Sequence, residues 1–237
     1  MSASHGTVVI LLRHGESEWN VTGRFQGQHD TALSERGRQQ ARDAASGVAA
    51  GLAGRRVRLL TSDLTRAADT AAAIGRDLGV DAEPDTRLRE VAAGEWQGLL
   101  QPEIRALDGD AYDAWRGGAD VPLGGAERPS EAGARVATAL LDHVGRLRAA
   151  DGGGSAPDVL LAVGHGASAR AGVAHLLQVP ALRASLTPLA NTGCALLEHV
   201  DGATDGPPRW RVRAWNVPPV ALGAVLAPGG AAPVSVV

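Results

Sequence analysis

The chain has 237 residues, 44% hydrophobic and 21% charged, a globular composition with enough length to bury a core, which excludes a disordered or fibrous protein. Its net charge of −3 provides no general basic field for nucleic acid, and all 23 basic residues are Arg, so Schiff-base lysine chemistry and a P-loop lysine are excluded. Cys194 is the single cysteine, Met1 to Thr7 lacks a signal-peptide pattern, and no apolar run could span a bilayer, so the expected location is cytoplasmic, without membrane or disulfide.

Thr7 to Leu12 reads as a strand buried on both faces, and Arg13-His14-Gly15-Glu16-Ser17 follows it directly. Ser34 suits the N-cap of a helix over Glu35 to Leu52. Arg56 to Leu60 is the second predicted strand. It ends at Thr61-Ser62-Asp63, and Ala-rich Thr65 to Leu78 forms the next helix, closed by Gly79. A short third strand is expected over Val80 to Glu83, stopped by Pro84. Weak periodicity across residues 99 to 128 marks a helical insertion or lid.

A helix from Pro129 to about Ala149 places Val136, Leu140, Leu141, Val144 and Leu147 on one face. Asp151 to Ser155 is a flexible turn and not a phosphate cradle, since no Gly-Lys-Ser/Thr follows its glycines. Val159 to Val163 is a strongly apolar strand ending in Gly164-His165-Gly166, with a helix behind it to Leu177. Cys194 to Val200 and Trp210 to Trp215 are the last strands. The Pro- and Gly-rich tail from Val220 is expected to be loosely packed, with an oligomer contact as the lesser reading. Alternating strands and helices predict a single domain, 1–237, of the α/β class: a three-layer α/β/α sandwich with a mostly parallel central sheet.

Three of these strands end in chemically matched residues: Arg13 and His14, then Ser62, Asp63 and Arg66, then His165. In a doubly wound sheet the carboxyl ends of parallel strands share one edge, so these residues converge into a compact cationic pocket. Such a pocket suits phosphoryl transfer, which needs charge neutralisation around the phosphorus and an in-line nucleophile. A neutral imidazole can be that nucleophile, and Glu90 is the candidate acid for the leaving oxygen. Taken singly, each of these residues has a structural explanation; the joint placement after separate strands is what points to a site. His5, His143, His175 and His199 lack that placement and are read as structural. With no His-Glu-x-x-His, no cysteine pair and no GxGxxG after the first strand, neither a metal nor a dinucleotide is expected.

Arg13 to Ser17 with Trp19-Asn20 and Gln26-Gly27, Ser62 to Ala67, Leu88-Arg89-Glu90 with Gly94-Glu95-Trp96-Gln97-Gly98, and Gly164-His165-Gly166 together resemble the histidine phosphatase superfamily, the phosphoglycerate-mutase-like enzymes. The four motifs stand in the family's order along nearly the whole chain. The resemblance implies that His14 is phosphorylated, that Arg13, Arg66 and His165 hold phosphoryl oxygens, and that Glu90 acts as acid and then as base. It also implies that Asn20, Gln26, Gly27 and Gly166 line the phosphate pocket, and that the mechanism needs no metal or other cofactor.

The Leu88 to Gly98 stretch resembles the phosphatase branch, so the expected activity is hydrolysis of a small phosphorylated metabolite, a sugar phosphate or phosphoglycerate derivative. A cofactor-dependent phosphoglycerate mutase is the alternative, and a non-catalytic phosphate-binding module a distant third. A homodimer is the default assembly. Gly124-Gly125-Ala126-Glu127-Arg128-Pro129-Ser130 departs from the branch's Gly-Gly-Glu-Ser run and is expected to reshape the pocket mouth. Trp115 and Arg116 are candidate contacts for the leaving group.

Overall fold

A computed structural model describes residues 7–149, 159–200, 209–227 and 230. In chain order its elements are β1 (Val8–Arg13), α1 (Glu18–Thr22), α2 (Glu35–Gly51), β2 (Val57–Thr61), α3 (Thr65–Leu78) and β3 (Ala82–Pro84). There follow α4 (Gln101–Arg116), α5 (Pro129–Ala149), β4 (Val159–Gly164), α6 (Gly166–Leu176), α7 (Leu182–Ser185), β5 (Cys194–Val200), β6 (Arg209–Val217) and α8 (Leu222–Leu226). The strands form one sheet in the order β3-β2-β4-β1-β5-β6, parallel from β3 to β1, with β5 and β6 antiparallel to their neighbours.

β1 and β4 are apolar along their length because both of their faces are covered. Val8, Ile10 and Leu12 pack with Ala41, Ala45 and Val48 of α2 and with Ala67, Ala71 and Ile74 of α3. Val9 and Leu11, on the opposite face, pack with Val136, Leu140 and Val144 of α5 and Val173 of α6. The expected three layers are therefore present. Register then determines what leaves the sheet together: Arg13 pairs with Gly164 and Thr61 with Val163, so His14, Ser62 and His165 emerge side by side at one edge.

Within residues 99–128 the helix is α4, Gln101–Arg116, which is kinked at Asp108 and anchored by aromatic packing. Trp96 is fully buried and meets Phe25, Tyr112 and Trp115 with ring centroids 5.8, 5.8 and 6.1 Å away. This third cluster sits apart from the two that line the sheet.

Two expectations fail. Leu141 is 39% exposed: it lies about 100° around the helix from Leu140, outside the stripe set by Val136, Leu140, Val144 and Leu147. The tail is not loose where it is described, since Leu222, Val225 and Leu226 of α8 are buried against α2. Gly47 and Gly51 open the groove that receives it, for a Cβ on Gly51 would stand 2.7 Å from the Leu222 Cβ. His5, Asp151 to Ser155 and the last seven residues lie outside the described residues.

Candidate active site

His14 leaves β1 into a turn that only a glycine can follow. A Cβ on Gly15 would meet the Gly37 carbonyl oxygen at 2.5 Å, so this glycine lets α2 press against the loop. The His14 backbone N–H donates to the Gly164 carbonyl at 3.0 Å. In the side chain, Nδ1 lies 2.6 Å from the Gly15 carbonyl oxygen. A carbonyl can only accept, so Nδ1 carries the proton and Nε2 presents its lone pair. Burial, then the charges of Arg66 and Arg13, push the His14 pKa well below the usual imidazole value, against the opposing bond to Gly15.

Arg13, Arg66 and His165 surround this imidazole. Arg66 is fully buried, donating through Nη1 to the His29 carbonyl and through Nη2 to the Gly27 carbonyl, each at 2.9 Å. Arg13 donates through Nη1 to the Leu189 carbonyl at 2.6 Å. His165 Nε2 lies 2.9 Å from Ser62 Oγ, which accepts the Leu64 N–H and so has its own proton to give to Nε2. Nδ1 then carries the single N–H proton of the neutral His165 ring. Arg13 Nε, Arg66 Nε and His165 Nδ1 are all buried donors without a protein partner. Three such donors beside one imidazole match the oxygens of a phosphoryl group. Desolvation lowers the Arg66 pKa to about 10 and shifts Arg13 in the same direction, with Glu90 opposing both.

The amides expected to line the pocket do so, and their neighbours orient them. Asn20 Oδ1 accepts from the Ser17 N–H and from Asn191 Nδ2, while Gln26 Oε1 accepts from the Ser17 and Thr31 hydroxyls. Both amide NH₂ groups are thereby left as donors for the cleft that Asn20 and Gln26 line. Gly27 needs its glycine: φ is +53°, and a Cβ would stand 2.6 Å from Gln97 Oε1. Gly166 begins α6 beneath the Arg13 guanidinium. The Glu90 carboxylate caps α6, Oε2 accepting from Ala167 N–H at 3.1 Å and Oε1 from Ser168 N–H at 2.7 Å.

All nine expected residues therefore meet at one sheet edge, and all but His165 line a cleft of about 230 Å³; His165 sits behind His14. Trp115 reaches the cleft, but Arg116 and residues 124–130 do not line it. The departing segment instead acts on the Glu90 loop. Glu127 accepts from Ala92 N–H and pairs with Arg135, which donates to the carbonyls of Arg87, Arg89 and Glu90. Sequence reasoning missed Arg170 and Arg24 in the cleft wall, Asn191 behind His14, and the Arg135 clamp.

The model of the histidine phosphatase superfamily, branch 1, matches residues 9–217. The chain belongs to the histidine phosphatase superfamily. Over 218 residues it is 38% identical to glucosyl-3-phosphoglycerate phosphatase of Mycobacterium tuberculosis, covering 88% of this chain and 93% of that enzyme. A solved structure of mycobacterial glucosyl-3-phosphoglycerate phosphatase complexed with VO3 superposes with a TM-score of 0.77 at 35% identity, covering 89% of this chain and 99% of that one. A 2,3-bisphosphoglycerate-dependent phosphoglycerate mutase of Methylobacterium radiotolerans is 40% identical over 133 residues, covering 54% of this chain and 62% of the mutase. Likeness to phosphatases thus runs nearly the whole length of this histidine phosphatase, whereas likeness to that mutase stops near half. The chain is a phosphoric monoester hydrolase, and its substrate is a phosphate ester.

Proposed function

We propose that this histidine phosphatase hydrolyses glucosyl-3-phosphoglycerate through a phosphohistidine formed on His14. The observation that carries the mechanism is the tautomer: Nδ1–H is held by the Gly15 carbonyl, which leaves Nε2 as the lone-pair atom of a ring that lines the cleft with Arg13 and Arg66. The 38% identity to glucosyl-3-phosphoglycerate phosphatase over 88% of the chain supports the substrate.

In the first step Nε2 of His14 attacks phosphorus, the bond from phosphorus to the ester oxygen breaks, and protonated Glu90 gives its proton to the departing alkoxide. Arg13, Arg66 and His165 donate to the equatorial oxygens as charge gathers there, with the Asn20 and Gln26 amides completing the cradle. In the second step the Glu90 carboxylate takes a proton from water, the hydroxide oxygen attacks phosphorus, and the P–N bond breaks. Inorganic phosphate leaves and Glu90 is again protonated.

The test is a phosphate-release panel of glucosyl-3-phosphoglycerate, 3-phosphoglycerate, sugar phosphates and nucleotides beside a His14→Ala control. Preference for glucosyl-3-phosphoglycerate and a silent control are expected. Full turnover by His14→Ala sinks the intermediate, and isomerisation outpacing hydrolysis of phosphoglycerate would favour the mutase.

A further inference from the structure

The cleft carries more positive charge than a phosphoryl group neutralises. Four guanidiniums line it, from Arg13, Arg24, Arg66 and Arg170, against the single carboxylate of Glu90. Burial keeps His14 and His165 neutral, so three positive charges remain with Glu90 ionised and four with it protonated, and a phosphate monoester brings only about 1.5 to 2 negative ones at neutral pH.

Arg170 makes one hydrogen bond among the described residues. It stands on α6 one turn beyond Gly166, where its Nη1 makes a 3.3 Å bond to the Leu186 carbonyl. Its Nε is buried without a partner, and it makes no salt bridge among the described residues. Arg183 and Arg116 add to the positive charge around it, and only Glu90 opposes them. Among the described residues Glu90 makes no ion pair with Arg170; its carboxylate oxygens accept instead from the backbone N–H groups of Val91, Ala167 and Ser168. A half-buried guanidinium among other guanidiniums is unfavourable until an anion reaches it. Arg13 and Arg66 meet the phosphoryl group beside His14, so an anion for Arg170 must come from the other end of the substrate.

We propose that Arg170 binds a carboxylate on the leaving group, so that the cleft selects phosphate esters of hydroxy acids over those of neutral alcohols. The planar guanidinium fork suits bidentate recognition of a carboxylate, and the Trp115 and Pro188 walls narrow the approach. The assignment rests on the phosphomonoesterase reading of the same cleft and adds the chemistry of its outer half.

Two esters isolate the effect, because 3-phosphoglycerate and glycerol 3-phosphate differ only in a carboxylate against a hydroxymethyl group. The wild-type ratio of kcat/KM should favour 3-phosphoglycerate by about tenfold or more, as expected for one charge-assisted pair. In Arg170→Gln the ratio should collapse to within about threefold of unity, with Arg170→Lys between the two, since an ammonium keeps charge but loses the fork. A wild-type ratio near unity, or one undiminished in Arg170→Gln, overturns the subsite. Calorimetric titration of both esters into His14→Ala protein, with and without Arg170→Gln, reads the preference without turnover. An Arg170-dependent carboxylate preference in a chain that hydrolyses neither these esters nor glucosyl-3-phosphoglycerate would overturn the proposed hydrolysis and leave the subsite standing; equal affinities would overturn the subsite.

Discussion

The imidazoles of His14 and His165 meet edge to face, with ring centroids 5.2 Å apart and planes inclined at 61°. Among the described residues neither hydrogen-bonds a carboxylate, and burial together with Arg66 and Arg13 pushes both well below the usual imidazole pKa. The unfolded chain therefore takes up protons below about pH 6.5 while the folded site does not, so stability is full above that pH and falls as pH drops. Each histidine contributes a slope of up to about 1.4 kcal/mol per pH unit in that window. Urea unfolding in phosphate-free buffer from pH 8 to 5 should show a shallower decline for a His14→Asn, His165→Asn double variant than for wild type. Parallel profiles would mean the pair is not held neutral.

Glu90 should reveal itself through leaving-group dependence. Gln at this position cannot protonate an alkoxide, so hydrolysis of alkyl phosphates should slow by about 10²–10⁴-fold. An aryl phosphate such as p-nitrophenyl phosphate, whose leaving group needs little protonation, should lose much less. Gln also has one acceptor oxygen for the three N–H groups of Val91, Ala167 and Ser168, so about 1 kcal/mol of stability should go with it. Equal slowing of both substrate types would remove Glu90 from the acid role.

Arg135 positions that carboxylate without touching the cleft. Its guanidinium ties the carbonyls of Arg87, Arg89 and Glu90 to the Glu127 carboxylate, which also accepts from the Ala92 N–H. Arg135→Gln should destabilise the fold by about 2–3 kcal/mol, because the Glu127 charge and these carbonyls lose their donor. Kinetically, kcat for an alkyl phosphate should fall while KM changes little, and the loss should be smaller for p-nitrophenyl phosphate. A rise in KM alone would place Arg135 in binding and not in orientation of Glu90.

The sheet edge was legible because a continuous apolar run marks a strand buried on both faces, and His14 and His165 sit directly after two such runs. Arg170 was not, since a lone arginine in an Ala-rich helix looks like a solvated charge; its only signal is that α6 is otherwise almost wholly apolar. Asn191 lies 177 residues from the His14 carbonyl it binds, a contact that no local pattern encodes. The α8 helix was hidden by the prolines and glycines around it, although Leu222, Val225 and Leu226 already have helical spacing.

Gly15 tests whether the nucleophile loop tolerates any side chain. With the Gly37 carbonyl 2.5 Å from the added Cβ, and a Cβ on Gly37 just as blocked by Glu16, neither backbone can yield alone. Gly15→Ala should destabilise by about 1–3 kcal/mol and displace the carbonyl that orients His14. A 1 Å misplacement lowers turnover by about 100-fold, so phosphate release should fall on that order. Wild-type turnover with unchanged stability would show that the crossing of Gly15 and Gly37 is not tight.

Leu222 decides between a packed tail and a loose one. Its side chain is fully buried on α2, while Val220, two residues earlier, is 77% exposed. Removing a buried isobutyl group leaves a cavity that the Gly51 surface cannot fill, so Leu222→Ala should lower unfolding free energy by about 2–5 kcal/mol. Val220→Ser should stay within about 0.5 kcal/mol. Both variants should retain wild-type kcat at a temperature where they remain folded, because α8 packs on the α2 side of the sheet and lines no part of the cleft. Chemical denaturation of the two variants side by side reads the difference directly: equal midpoints would mean that α8 contributes nothing to the fold, as a loosely packed tail requires.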